Sequence, residues 1–175
     1  MTRRPSIRER LKPETRTARR IAELQLSIWF GRVRRASGGD KMDMYTYVNF
    51  AGTCREAFRY YEQHLDGKVG MMMTHADAPG PTRLGPEWKD AVLHARISIG
   101  GVELAGADIP SAQPMRSAYL SINVDSDADA ERIFAALADG GEVLMKMEET
   151  FFASRFGQVR DRFGINWMIL RQRPS

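Results

Sequence analysis

His94 and Glu103 are the two side chains whose types and positions best suit proton chemistry. They lie in VLHARISIGGVELAGA, on two segments that read as neighbouring strands. A carboxylate near an imidazole can set its tautomer and raise its pKa, which is the arrangement of an acid–base pair. The plainer reading of the same two residues is a cross-strand polar pair on a wet sheet face. Arg96 and Arg155 could clamp an anionic group through parallel N–H bonds, or pair with the many surface carboxylates. Tyr119 offers a flat ring for stacking on a planar ligand, and Trp88, in PEWKD, could either close over a cleft or pin a long loop. Trp167 stands one register off Met168 and is expected in the core. His64 and His75 lack a ligand spacing such as H-x-x-x-H, and Met71, Met72, Met73, Met145 and Met147 read as gap-filling core and rim residues. Cys54 falls in a first helical turn, where the dipole lowers a thiol pKa. No partner base accompanies it, so it reads as a packing residue.

The elements that must carry these residues occur twice. MYTYVNFA, from Met44, is rich in strand formers. TCREAFRYYEQHL then opens with Thr53 and Glu56 in the S/T-x-x-E spacing, in which each side chain satisfies a free helical N–H. Ala57, Tyr60, Tyr61 and Leu65 give that helix one apolar stripe. Asp66-Gly67 breaks it, and DGKVGMMMTH returns to strand. Seventy-three residues on, YLSINV, SDADAERIFAALADG and GEVLMKM repeat the order, with Ser126 and Asp129 in the capping places.

Each unit adds two strands. VLHARISI and VELAGA meet at Gly100-Gly101, a two-residue hairpin signal. RFGQVRD and INWMILR meet through DRFG, where Asp161 can accept backbone N–H groups and Gly164 can take positive φ. The predicted fold class is therefore α+β, two βαβββ modules over 44–108 and 116–171, with a Pro- and Gly-rich loop at 76–91. Alternation in LHARISI points Leu93, Ala95, Ile97 and Ile99 one way and His94, Arg96 and Ser98 the other. The helices are expected to cover the apolar side, leaving a half-polar face to curve around water or a ligand as a cleft.

Charge divides the chain. Residues 1–41 hold ten Arg, two Lys and four acidic residues, a net of +8, which leaves 14 basic and 18 acidic residues, a net of −4, for 42–175. The basic character thus belongs to an N-terminal extension, expected to be unpacked or partly helical around 17–35, and nucleic acid is not an expected partner of the folded part. ASGGDK reads as a linker, so the working chain is expected to occupy 42–175 as a single domain starting near Met42 or Met44. A basic amphipathic helix touching lipid or nucleic acid is the other reading of the extension. No apolar run approaches the ~18 residues that span a bilayer, and no continuous apolar core of a secretory signal stands near the N-terminus, so a membrane partner is not expected. With one cysteine, Cys54, no internal disulfide can form. A reducing, cytoplasmic location follows as the expectation.

The paired modules resemble the vicinal oxygen chelate superfamily, the glyoxalase and bleomycin-resistance proteins. Within it, YVNFAGTCREAFRYYEQHL, LHARISIGGVELAGAD and ETFFASRFGQVRDRFGINWMI resemble the PhnB-like branch, over roughly 44–171. Members of that branch often carry a label as a demethylubiquinone methyltransferase, yet no glycine-rich nucleotide loop follows a strand in this sequence. The resemblance implies four cleft-facing positions that hold a divalent ion in metal-dependent relatives, falling here at about Thr46, Ala105, Tyr119 and Met168. None is His, Asp or Glu, so no metal and no cofactor is expected. It also implies a homodimer, since relatives commonly build their clefts with a second subunit. Phe151, Phe152 and Phe156 would then serve an apolar pocket or the dimer contact.

The expected function is metal-free binding of a small aromatic or anionic molecule, with Tyr119, Arg96, Trp88, Arg155 and Met168 as ligand-binding candidates. The alternative is a lyase- or isomerase-type enzyme, using Glu103 and His94 for acid–base chemistry or holding a metal at a displaced site.

Overall fold

The computed structural model describes residues 44–80 and 84–173. The basic extension 1–41 and its possible helix at 17–35 lie outside the described residues. The first module runs β1 (Thr46–Phe50), α1 (Cys54–His64), β2 (Lys68–Thr74), a 3-10 turn (Pro86–Trp88), β3 (Val92–Ile99) and β4 (Val102–Asp108). The second runs β5 (Leu120–Asn123), α2 (Asp127–Ala138), β6 (Glu142–Glu148), β7 (Ala153–Arg160) and β8 (Asn166–Gln172). The sheets are ordered β1-β4-β3-β2 and β5-β8-β7-β6. In each, the opening strand pairs parallel with the last one and the other pairings are antiparallel. The predicted duplication is thus a duplication of topology.

The turns form as their residues require. Gly100 and Gly101 take φ of 57° and 79° between β3 and β4, the left-handed conformations a two-residue hairpin turn demands. Between β7 and β8, Asp161 Oδ1 accepts from Phe163 N and Ile165 N, each at 2.9 Å, and Gly164 has φ 87°.

The two helices do not start alike. Ser126 caps α2 through its side chain, its Oγ accepting from Asp129 N at 3.0 Å. The matching Thr53 makes no side-chain cap bond. Asp108, at the end of β4, takes that role: Oδ1 accepts from Gly52 N at 3.0 Å and Cys54 N at 2.9 Å, and Oδ2 from Val92 N at 2.8 Å. A buried carboxylate satisfies the free N–H of Cys54 at the helix start and complements the positive end of the helix, so a tertiary partner stands in for the local capping box at α1.

Each helix presses an aromatic ring onto a glycine of its own sheet. Phe58 of α1 stands edge-on to Phe50, ring centroids 6.0 Å apart, over Gly106. Phe134 of α2 lies over Gly157. The helix sides of the two modules then merge into one core containing Phe58, Tyr61, Ile97, Leu137, Trp167 and Ile169. Tyr61 donates to Asp161 Oδ2 at 2.6 Å, Trp167 Nε1 donates to the same oxygen at 2.8 Å, and Tyr60 donates to Ala136 O at 2.7 Å. Trp167 is a core residue, as expected. Because the helix-covered faces share this core, the other face of each sheet points away from it, and among the described residues no strand of one sheet pairs with a strand of the other. No described helix is long and apolar enough to cross a membrane.

Candidate functional site

The outer face of the first sheet carries a chain of polar contacts. In β1, Val48 and Phe50 are buried toward α1, so Tyr47 projects to the opposite side, where it is paired in register with Ala105. Ala105 is in turn paired with Arg96. Tyr47 Oη lies 3.1 Å from His94 Nδ1, Arg96 Nε donates to His94 Nε2 at 3.3 Å, and Arg96 Nη1 donates to Glu103 Oε1 at 3.1 Å and Oε2 at 3.2 Å. The Arg96 guanidinium also sits 5.3 Å from the Tyr45 ring centroid, within cation–π range. His94 is 4% exposed and Tyr47 is 41% exposed, so the chain runs from a buried imidazole to a partly exposed tyrosine.

Electrostatics keep His94 uncharged. Burial lowers its pKa from the ordinary histidine value, the Arg96 charge lowers it further, and Glu103 opposes both weakly. Tyr47 is pushed above the ordinary tyrosine range, first by burial, then by Cys54 and Tyr45. Glu103 and His94 do not meet directly, because Arg96 stands between them, taking the carboxylate with one nitrogen and the imidazole with another. The direct pair read from sequence is therefore a three-residue chain.

The outer face of the second sheet is of a different kind. Ser121 pairs with Met168, Asn123 with Leu170, and Gln158 with Met168. Met168 is half-buried, and Tyr119, just before β5, is 37% exposed. Phe151 and Phe152, between β6 and β7, and Phe156 in β7 form an edge-on aromatic series with centroids 5.1 and 5.2 Å apart, and Phe151 is 94% exposed.

Two candidates lie elsewhere. Arg155 is drawn to the N-terminal half of α2, with Nε 2.7 Å from Glu131 and Nη1 3.4 Å from Asp127, so α2 and not a cleft face takes its charge. Trp88 lines a depression of about 700 Å³ with Arg55, Arg59 and Val92 at the start of α1. That depression contains none of Tyr47, His94 and Arg96. Cys54 belongs to the core: burial and the neighbouring Asp108 push its thiol far above the ordinary value, overriding the helix dipole.

Thr46, placed by sequence on the cleft side, pairs with the buried Leu104 on the α1 side, and the outward position is Tyr47. Sequence reasoning missed Tyr47, although the alternation of buried Val48 and Phe50 in YTYVNF marks Tyr45, Tyr47 and Asn49 as the outward set. The corrected positions do not suit a hard cation. Tyr47, Ala105 and Met168 offer no carboxylate or imidazole, and His94 has both ring nitrogens in contact with Tyr47 and Arg96. Among the described residues no three His, Cys, Asp or Glu side chains converge.

A family model described as 3-demethylubiquinone-9 3-methyltransferase matches residues 42–170. Protein YjdN of Escherichia coli (strain K12) is 30% identical over 146 residues, covering 77% of this chain and 99% of YjdN. The crystal structure of protein PA1353 from Pseudomonas aeruginosa is 40% identical with a TM-score of 0.68, covering 77% of this chain and 100% of that one. A putative 3-demethylubiquinone-9 3-methyltransferase, PhnB protein, from Bacillus cereus shares the fold at 21% identity and a TM-score of 0.63, covering 74% and 99%. The residues present do not fit the nucleotide cofactor that a methyltransferase description implies. The two strand-to-helix junctions read Ala51-Gly52-Thr53 and Val124-Asp125-Ser126, and neither is a glycine-rich loop able to cradle a nucleotide.

Proposed function

The chain belongs to the family described as 3-demethylubiquinone-9 3-methyltransferase, the PhnB-like branch of the vicinal oxygen chelate superfamily, and from that premise we propose that it is a metal-free small-molecule-binding protein. It works as a cytoplasmic homodimer. The Tyr47–His94–Arg96 face of one copy and the Met168 face of another enclose the ligand.

One observation carries this reading: the helix sides of both modules share a single core, so the two outer faces of one chain point apart. A cleft walled by both kinds of face then needs two copies, and a two-fold axis makes two such clefts from one isologous contact. The exposed Phe151 and Phe152 supply apolar area for that contact. Arg96, interposed between Glu103 and His94, favours holding a ligand over turning it over with that acid–base pair. The net negative charge of 42–175 supports a small molecule over nucleic acid.

Light scattering coupled to size exclusion tests the assembly. The wild-type chain is expected at twice the chain mass of 19.8 kDa. Met168→Glu, which places an unpaired charge on the second face, is expected at the chain mass with unchanged circular dichroism. A wild-type monomer that holds small molecules with full affinity would overturn the composite cleft.

A further inference from the structure

Hydrogen-bond geometry sets the direction of the Arg96–His94–Tyr47 contacts. An arginine can only donate, so the Arg96 Nε contact at 3.3 Å makes His94 Nε2 an acceptor. A neutral imidazole carries its hydrogen on one nitrogen, and with Nε2 accepting, that nitrogen is Nδ1. Nδ1–H therefore donates to Tyr47 Oη across the 3.1 Å contact. The Tyr47 hydroxyl keeps its own hydrogen, and among the described residues it meets no further acceptor. The two bonds run one way, from Arg96 to His94 to Tyr47, and successive donors polarise one another.

We propose that the Tyr47 hydroxyl is the ligand-recognising donor of the cleft, and that it takes the carbonyl oxygen of a small, neutral, apolar-bodied molecule. This deepens the small-molecule reading above and rests on it. A carbonyl acceptor suits the site better than an anion because the two oxygens of Glu103 already neutralise Arg96. The ground beside the hydroxyl is apolar and low: Ala105 is paired with Tyr47, and Ala107 is paired with Asn49 on the same side. Tyr47 is protonated at neutral pH, as an ordinary tyrosine is, and burial raises its pKa further.

Two measurements on the full chain test this. The first is long-range nitrogen–proton NMR of the His94 ring at pH 7. It is expected to show a neutral ring protonated at Nδ1; an Nε2–H tautomer or an imidazolium ion overturns the donor assignment. The second is titration with acetophenone and with α-methylstyrene, which has nearly the same shape but no oxygen. Acetophenone is expected to shift the Tyr47 and His94 signals, and Tyr47→Phe to weaken it roughly three- to tenfold, the worth of one neutral hydrogen bond. α-Methylstyrene binding is expected to be unchanged by that substitution. Equal effects of Tyr47→Phe on both probes, or no effect on either, overturn the carbonyl assignment while leaving the cleft intact. Tighter binding of benzoate than of acetophenone overturns it in favour of an anion. Absence of any shift on either face, with either probe, sinks the small-molecule reading and the ligand class with it.

Discussion

The hydroxyl of Tyr61, on α1 of the first module, lies 2.6 Å from Oδ2 of Asp161, in the β7–β8 turn of the second. The residues are a hundred apart in sequence, and both are buried. Trp167 Nε1 and two backbone amides complete the ring of donors around the carboxylate. Burial pushes the Asp161 carboxyl above its ordinary value, and these four donors oppose that by holding the ionised form.

Removing the bond between modules should therefore be costly. Tyr61→Phe is expected to lower the unfolding free energy by about 1.5–3 kcal/mol, the range for a hydrogen bond to a charged group. Asp161→Ala, which orphans two side-chain donors and two amides, should cost more, on the order of 3 kcal/mol or above. Urea denaturation followed by tryptophan fluorescence reads both. A loss under about 0.5 kcal/mol for Tyr61→Phe would mean that the modules do not depend on this contact.

His94 should make stability fall on mild acidification. Its folded pKa is depressed, so above the ordinary value of 6.5 both states are neutral and the stability is fully present. As the pH drops below 6.5 the unfolded chain binds a proton that the folded chain, with His94 buried among Tyr47, Arg96 and Glu103, refuses. Stability is lost until the depressed folded pKa is passed. Wild type should lose more stability between pH 7.5 and pH 5 than His94→Gln does; parallel losses in the two proteins would remove His94 from the titration.

Gly106 and Gly157 should both resist substitution, and unequally. A Cβ on Gly106 would stand 2.9 Å from Phe58 Cζ and 3.2 Å from Phe50, whereas on Gly157 it would stand 2.6 Å from Phe134 and 3.2 Å from the Met147 backbone. Overpacking of this kind typically costs about 1–3 kcal/mol. Gly157→Ala is expected at the upper end and Gly106→Ala below it. Thermal melts that rank them the other way would show that α2 shifts more easily than α1.

Divalent ions should find no purchase on the first face. Elemental analysis of protein purified without chelator or histidine tag is expected to show well under one equivalent of any transition metal. Manganese added to that protein should leave the His94 and Glu103 NMR signals unbroadened. Stoichiometric metal with selective broadening of His94 would mean that Arg96 yields the imidazole to a cation, contrary to the donor set described.

The parts of this fold that depend on short-range pattern were legible. Gly100-Gly101 and Asp161 to Gly164 form the turns their residue types demand, and Trp167 falls on the covered side, as its register relative to Met168 required. The cap of α1 was not legible, because Asp108 lies 54 residues along from Cys54 and no local spacing announces such a partner. The same limit applies to the candidate site. His94, Arg96 and Glu103 share a face through strand alternation, which sequence displays, but Arg96 stands between the other two, which only the cross-strand register sets. Tyr47 was lost to a one-residue slip in β1, and in a strand such a slip exchanges the two faces. Arg155 was a fair anion clamp by type, until α2 brought Asp127 and Glu131 to it.

The contacts that join the two modules lie behind the sheets, where Tyr61, Asp161 and Trp167 meet and where the two ring-on-glycine contacts are also found. The front of the second sheet is structurally idle by comparison, so Ser121, Asn123 and Met168 can be rewritten one at a time without disturbing what holds the modules together. A duplicated unit arranged in this way is free to let its two fronts drift toward different chemistries, and here one carries Tyr47, His94, Arg96 and Glu103 in mutual contact and the other sets Met168 and Leu170 among Ser121, Asn123 and Gln158.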